Sequence, residues 1–380
     1  MEETIYRGLD GVNVDTSEIC FIDGEKGELI YRGYDIAELT EATYEEVVYL
    51  LWEGELPTKA QLDAFRATIA EDFAIPDGVV DLLRSLPHEA APMHALRTAV
   101  SALATFDPDP DGVGIENVRR IGTALLAQVP VLVGTLQRVR MGHEPVAPRD
   151  DLSIAGNFLY TLSGEEPTEA ATRVMDTALV LHAEHGSNAS TFAARSTAST
   201  LTDVYSAITA GIASLKGPLH GGANTGVMKA LEQIGSVGAV EQYVLDTLAK
   251  PGGRIMGFGH RVYRVRDPRA AILERVAKQL AEESGESKWF EMSLEMERVM
   301  DREMAKKGRE VKPNVDFFSA SVYRMLGFPG DMYTPIFAVA RISGWMAHLY
   351  EQYADNRLVR PRMVYQGPRG KTFTPIAERG

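Results

Sequence analysis

Residues Ser214–Leu231 read SLKGPLHGGANTGVMKAL. One ionisable ring, His220, sits among Gly217, Pro218, Gly221 and Gly222, and a helical apolar pattern begins directly behind it. Glycine is used where a backbone bends sharply or where something must approach it closely. The stretch therefore reads either as a tight turn carrying a surface histidine or as a backbone cleared for a ligand, with His220 aimed at it. In both cases it joins helix to helix, with no strand between.

That pattern extends in both directions. Upstream, TYEEVVYLLWEGELPT (43–58) opens with a capping box, Thr43 and Glu46, and closes at Gly54 and Pro57. Leu62, Phe65, Ile69 and Phe73 then recur at a helical period. Further helices are predicted over about 92–104, 115–141, 151–162, 168–185, 201–215, 223–234, 237–249, 268–284, 287–307, 316–326 and 335–354, from the same periodicity. Only SEICFIDGEKGELIYR (17–32) reads as a β-hairpin, two short apolar runs around a Gly24–Gly27 turn. Strands and helices do not alternate, so the fold class is nearly all-α with a short N-terminal hairpin, and no doubly wound sheet is expected.

At 380 residues the chain exceeds what one core usually supports, so two domains are expected. Hinge candidates are Gly217–Gly222 and the Gly- and Pro-rich MLGFPGDMYTP (325–335), which bracket a segment of about 100 residues. The formal net charge of −14 argues against nucleic acid or an anionic membrane as the main partner. The single cysteine, Cys20, excludes an internal disulfide and a cysteine zinc site, and fits a reducing, cytoplasmic setting. The start MEETIYRGLDG has no apolar signal-peptide core, and no run is long and apolar enough for a membrane span.

Three places carry chemistry. KPGGRIMGFGHRVYRVRDPR (250–269) sets six Lys and Arg against one acid, Asp267, in a chain that is acidic overall. Its glycines make the middle a loop whose N–H groups can meet an anion, and Arg offers a fork suited to carboxylate or phosphate. In VKPNVDFFSASVYRML (311–326), Asp316 stands at a helix start, either as a cap or as a carboxylate held against aromatic walls, where burial raises its basicity. The third is His220 itself. HAEH puts His182 and His185 at i, i+3 of a predicted helix, but two histidines without further ligands make a poor metal site. GFGHRV has two of the three glycines of a dinucleotide fingerprint and follows no strand.

In this order, GPLHGGAN (217–224), GFGHRVYR with DPR (257–269) and NVDFFSA (314–320) resemble the citrate synthase family. ELIYRGYDI (28–36), LHAEHGSNASTFAAR (181–195), ARISGWMAHLYEQ (340–352) and RPRMVY (360–365) extend the resemblance nearly end to end, towards the compact archaeal and bacterial dimeric type. It implies a homodimer of helical subunits, with a large domain of residues 1–220 joined to 323–380 and a small domain of 221–322. It also implies condensation of acetyl-CoA with oxaloacetate and hydrolysis to citrate and CoA, with no metal or other cofactor.

By that resemblance Asp316 is the base, His220 the donor to the thioester oxygen and His260 the group that polarises the oxaloacetate ketone. His185, Arg269, Arg341 and Arg360 would bind oxaloacetate, with Arg360 (preferred to Arg362 by its spacing from Arg341) supplied by the partner subunit. The loop Arg254, Ile255, Met256, Gly257, Phe258 and Gly259 would cradle CoA. The residue types suit this chemistry, because a thioester methyl is a weak carbon acid and needs a base on one side and an oxygen donor on the other. A place just before a helix N-terminus keeps His220 neutral, and the adjacent glycines would let the thioester approach. Two other readings share these motifs. One is a 2-methylcitrate synthase using propionyl-CoA, which differs only in pocket shape; the other is a non-catalytic protein that binds CoA or a dicarboxylate, which would have no need of a base.

Overall fold

A computed structural model describes residues 4–379; Met1–Glu3, at the head of the acidic start, and Gly380 lie outside the described residues. The hairpin forms as β1 (Cys20–Asp23) and β2 (Glu28–Tyr31), antiparallel, and a two-residue β3 (Tyr34–Asp35) adds to β2. The helices that follow are α1 (Ile36–Leu39), α2 (Tyr44–Glu53), α3 (Lys59–Glu71), α4 (Asp77–Ser85), α5 (Pro92–Leu103), α6 (Ile115–Arg140), α7 (Ile154–Ser163) and α8 (Glu169–His182). Next come α9 (Ala189–Ala198), α10 (Val204–Leu215), α11 (Gly222–Ile234), α12 (Val240–Ala249), α13 (Pro268–Ser284), α14 (Lys288–Ala305), α15 (Val315–Met325) and α16 (Tyr333–Ala354). The fold is therefore nearly all-α.

Local chemistry sets the ends. Thr43 and Glu46 form the expected capping box of α2, and Gly54 ends that helix in the left-handed region. Ser153, Thr168, Asn188, Asp203, Asp267 and Asn314 each cap the helix behind them through a side-chain oxygen. Several helices depart from expectation. α4 and α9 lie outside the predicted helices; α9 (ASTFAARSTA) is built of small residues with no large apolar stripe. The helix expected over 168–185 stops at His182, so His182 and His185 do not share a helical face.

The packing falls into two groups. α16 is buried on nearly every side, from Tyr333 to Tyr350, and is wrapped by α2, α6, α8, α9 and α10. A helix that is apolar all round belongs in a core. α13 and α15 pack together, with α11 and α14 against α15 and α12 against α14. The hairpin turn reaches the loop after α12: Arg264 N–H donates to the Gly24 carbonyl at 2.9 Å. No helix among the described residues is long and apolar enough to cross a membrane.

Candidate active site

His220 lies two residues before α11, on a turn folded back on itself, with Gly222 N–H donating to the Gly217 carbonyl at 3.2 Å. The glycines serve that turn. A Cβ on Gly221 would lie 2.6 Å from Leu215 Cδ1, and one on Gly222 would lie 3.1 Å from the carbonyl oxygens of Lys216 and Gly217. This corrects the reading of these two glycines as space for an approaching thioester: the chain's own backbone and Leu215 fill the room. The His220 ring meets Phe337 edge-on, and its Nε2 is 2.8 Å from Ser190 Oγ. Ser190 also receives the Trp345 indole N–H at 3.1 Å and donates its hydroxyl proton to Asn188 Oδ1 at 2.8 Å. That amide oxygen already accepts two backbone N–H groups, from Ser190 and Thr191. The one Ser190 proton goes to that amide oxygen, so the Ser190 oxygen is left as an acceptor for the His220 Nε2–H.

His260 is fixed differently. Its Nδ1 accepts the backbone N–H of Val262 at 3.0 Å and of Tyr263 at 3.2 Å. A nitrogen that accepts carries no proton, so the neutral ring holds its proton on Nε2. Burial pushes both His220 and His260 down to about 4, helped by the positive charges of Arg341 and Arg269 respectively. His185 is pushed well below the ordinary imidazole value by burial, then by Arg269 and His260. All three rings are neutral at pH 7.

Asp316 is the second residue of α15 and does not cap it, contrary to one of the two readings of its position. Asn314 does, with Oδ1 accepting the Asp316 N–H at 3.1 Å. The Asp316 carboxyl is buried, and Oδ1 has no hydrogen-bond partner among the described residues. Burial raises it to about 7, against the pull of Arg269 and Arg341 and with the help of Asp267. A bare carboxyl in an apolar wall is a strong base for its kind.

Two arginines are buried beside it, Arg269 at 2% and Arg341 at 1% exposure. Arg269 is gripped by Asp267, Nε to Oδ1 at 3.0 Å and Nη2 to Oδ2 at 2.8 Å. Arg341 donates from Nε to the His182 carbonyl at 2.7 Å and lies over the Phe337 ring, while its buried Nη1 has no partner among the described residues. Such a group is costly unless something anionic meets it. His185 comes from the α8–α9 connection and stands 5.2 Å from the His260 ring.

Residues 254–259 form a loop stitched to the strand-like approach to α15. Gly259 N–H donates to the Lys312 carbonyl at 2.8 Å and Asn314 N–H to the Gly257 carbonyl at 2.9 Å. At Gly257, φ is +80° and a Cβ would lie 2.7 Å from Val227, so no other residue fits there. Arg254 is exposed, Ile255 is buried, and Met256 and Phe258 are half-buried. Beyond Gly259 lies a cavity of about 210 Å³ lined by His260, Tyr263, Arg264, Lys312 and Pro313 among others.

The fold thus gathers His185, His220, His260, Arg269, Arg341 and Asp316. It does not bring Arg360 to them: that residue is exposed, in a tail without helix or strand that follows α16. No group of three or more potential metal ligands exists among the described residues. Sequence reasoning missed Asp267, Ser190, Asn188, Asn314 and Tyr263. Three were visible as cap residues before helices, as in the Asp-Pro-Arg start of α13. Nothing local marked Ser190 or Tyr263.

A family model described as "Citrate synthase, C-terminal domain" matches residues 8–362. "Citrate synthase 2" of Bacillus subtilis is 49% identical, covering 99% of this chain and 100% of the relative. "Citrate synthase" of Haloferax volcanii is 48% identical over 100% of both chains. "2-Methylcitrate synthase 1" of Corynebacterium glutamicum is 43% identical, over 100% and 99%. Among solved structures, a ternary complex of carboxymethyl coenzyme A and oxaloacetate with citrate synthase from Thermoplasma acidophilum superposes with a TM-score of 0.94. It is 36% identical and is matched over 99% of this chain and 100% of that one. A whole-chain match in sequence and in fold, around a buried carboxyl and three neutral histidines, leaves one conclusion: the chain belongs to the citrate synthase family.

Proposed function

We propose that this chain condenses acetyl-CoA with oxaloacetate and hydrolyses the resulting citryl-CoA to citrate and CoA. The observation that carries this reading is the Asp316 carboxyl, buried, uncommitted at Oδ1 and raised to about 7. As carboxylate, Asp316 takes a proton from the acetyl methyl. Turning the Ser190 hydroxyl from Asn188 to His220 Nε2 leaves the His220 proton on Nδ1, and that N–H donates to the thioester oxygen as charge builds there. The electron pair left on the methyl carbon forms the new bond to the oxaloacetate ketone carbon. His260 Nε2–H supplies the proton for the ketone oxygen. Water then replaces the thiolate at the acyl carbon, and CoA leaves as the thiol.

Arg269, Arg341 and His185 receive the two oxaloacetate carboxylates, and the unpartnered Arg341 Nη1 suits that role. Arg360 completes the site from the partner of a homodimer, and loop 254–259 lies along the CoA. In this reading the large domain is 1–220 with 323–380 and the small domain is 221–322. The enzyme needs no metal and works in the cytoplasm. Thiol release on mixing acetyl-CoA, oxaloacetate and protein tests the proposal: its absence would sink it and leave a binding protein.

The 43% identical 2-methylcitrate synthase keeps a second reading open, in which propionyl-CoA is the preferred thioester. One methylene is worth about 1–3 kcal/mol of discrimination, so the ratio of kcat/KM for the two thioesters decides.

A further inference from the structure

Tyr263 touches two histidines with two different parts of itself. Its hydroxyl is 3.1 Å from His185 Nε2, across 78 residues of chain, and its backbone N–H donates to His260 Nδ1. The three rings form a triangle, with centroids 5.5 Å apart for His185–Tyr263, 4.8 Å for His260–Tyr263 and 5.2 Å for His185–His260. The tyrosine is 3% exposed. Among the described residues its hydroxyl has no other hydrogen-bond partner.

The geometry points to Tyr263 as a positioning residue that orients both imidazoles at once, His185 through its hydroxyl and His260 through its backbone. The role rests on the reading of these histidines as oxaloacetate ligands. Burial raises the phenol, so it keeps its proton, and His185 is neutral. The contact is thus an ordinary neutral hydrogen bond, and it sets the proton-bearing and accepting sides of a ring already packed edge-on against His260 and Tyr263. A phenylalanine would fill the same volume and keep the edge-to-face ring contact; only the hydrogen bond to His185 would be lost. Because His185 sits between α8 and α9 and Tyr263 sits between α12 and α13, the bond also ties the His260 loop to the α8–α9 connection.

Tyr263→Phe tests this, since it removes the hydroxyl and keeps both the ring and the backbone contact. Oxaloacetate affinity, measured by calorimetry without acetyl-CoA, is expected to weaken about 10-fold, the scale of one lost hydrogen bond. The KM for acetyl-CoA at saturating oxaloacetate and the Tm should hardly move. In ligand-free protein carrying 15N-histidine, the ring signals of His185, assigned with His185→Gln, should shift while those of His260 stay. Unchanged His185 signals with unchanged oxaloacetate affinity would overturn the proposal. So would a fallen Tm with equal losses for both substrates, which would make Tyr263 a packing residue. A wild-type protein that fails to bind oxaloacetate would refute the ligand reading, yet the His185 ring signals would still report whether Tyr263 holds that ring.

Discussion

Asn314 caps α15 by accepting the Asp316 N–H at 3.1 Å, and this frees the Asp316 carboxyl from the capping duty its position invites. Two neighbouring residues thus divide two roles that one carboxylate cannot serve together. A capping carboxylate is stabilised as the anion and is a weaker base.

Asp316→Asn is expected to lower kcat by about two orders of magnitude or more, the usual scale for a positioned base. It should also raise stability at alkaline pH. The folded carboxyl, at about 7, holds its proton more tightly than an unfolded one at 3.8, so its contribution is complete below pH 4 and is lost as pH rises through 7. An amide escapes that loss, which at about 1.4 kcal/mol per pH unit is at most on the order of 4 kcal/mol. Unfolding curves at pH 5 and pH 8 should show the variant gaining on the wild type at both, and more at pH 8. The same titration predicts that wild-type kcat/KM falls as pH drops below about 7 in the substrate-free enzyme.

Ser190→Ala removes the hydrogen-bond partner of His220 Nε2. The ring then loses the partner that selects its tautomer, and kcat should fall about 10- to 100-fold, within the range of a misplaced acid–base group. Oxaloacetate affinity should stay, because Ser190 contacts His220, Trp345 and Asn188 and none of the proposed oxaloacetate ligands. An unchanged kcat would show that Ser190 merely fills space.

Gly24→Ala places a methyl 2.3 Å from the Val262 carbonyl oxygen, where backbone must give way. The hairpin turn and the His260 loop would separate, and the Arg264-to-Gly24 hydrogen bond would be lost. The expected result is a loss of about 10-fold in kcat/KM for oxaloacetate, the scale of one broken docking contact. Gly238→Ala, which meets open space, is the control and should change nothing.

Arg360 should act in the partner's site. Mixing Asp316→Ala and Arg360→Ala subunits gives about half mixed dimers, each with one site free of both defects, so about a quarter of wild-type activity should return. If exchange is verified and nothing returns, Arg360 serves its own chain.

How much of this was legible in the sequence depended on locality. Helices with a large apolar stripe, such as α2, α6 and α16, and ends marked by Thr43 or Gly54 could be read directly. α9 could not, because Ala, Ser and Thr carry no hydrophobic period and only its Asn188 cap signals it. His220, His260 and Asp316 stood out through unusual neighbours. Tyr263 and Ser190 did not, since their partners lie 78 and 30 residues away and only the folded chain brings them together.

One carboxylate shows where this protein can least afford change. Asp267 accepts the Arg269 N–H at the start of α13, grips the Arg269 guanidinium through both oxygens, and takes the Val315 N–H at 3.1 Å, one residue before Asp316. Its replacement would uncap one helix, release a buried cation and loosen the footing of another helix in a single step. Mutational tolerance here is therefore uneven. A drifting lineage can exchange many exposed residues one at a time, but at Asp267 no single substitution leads to a neighbouring functional sequence, and compensating changes would have to arrive together.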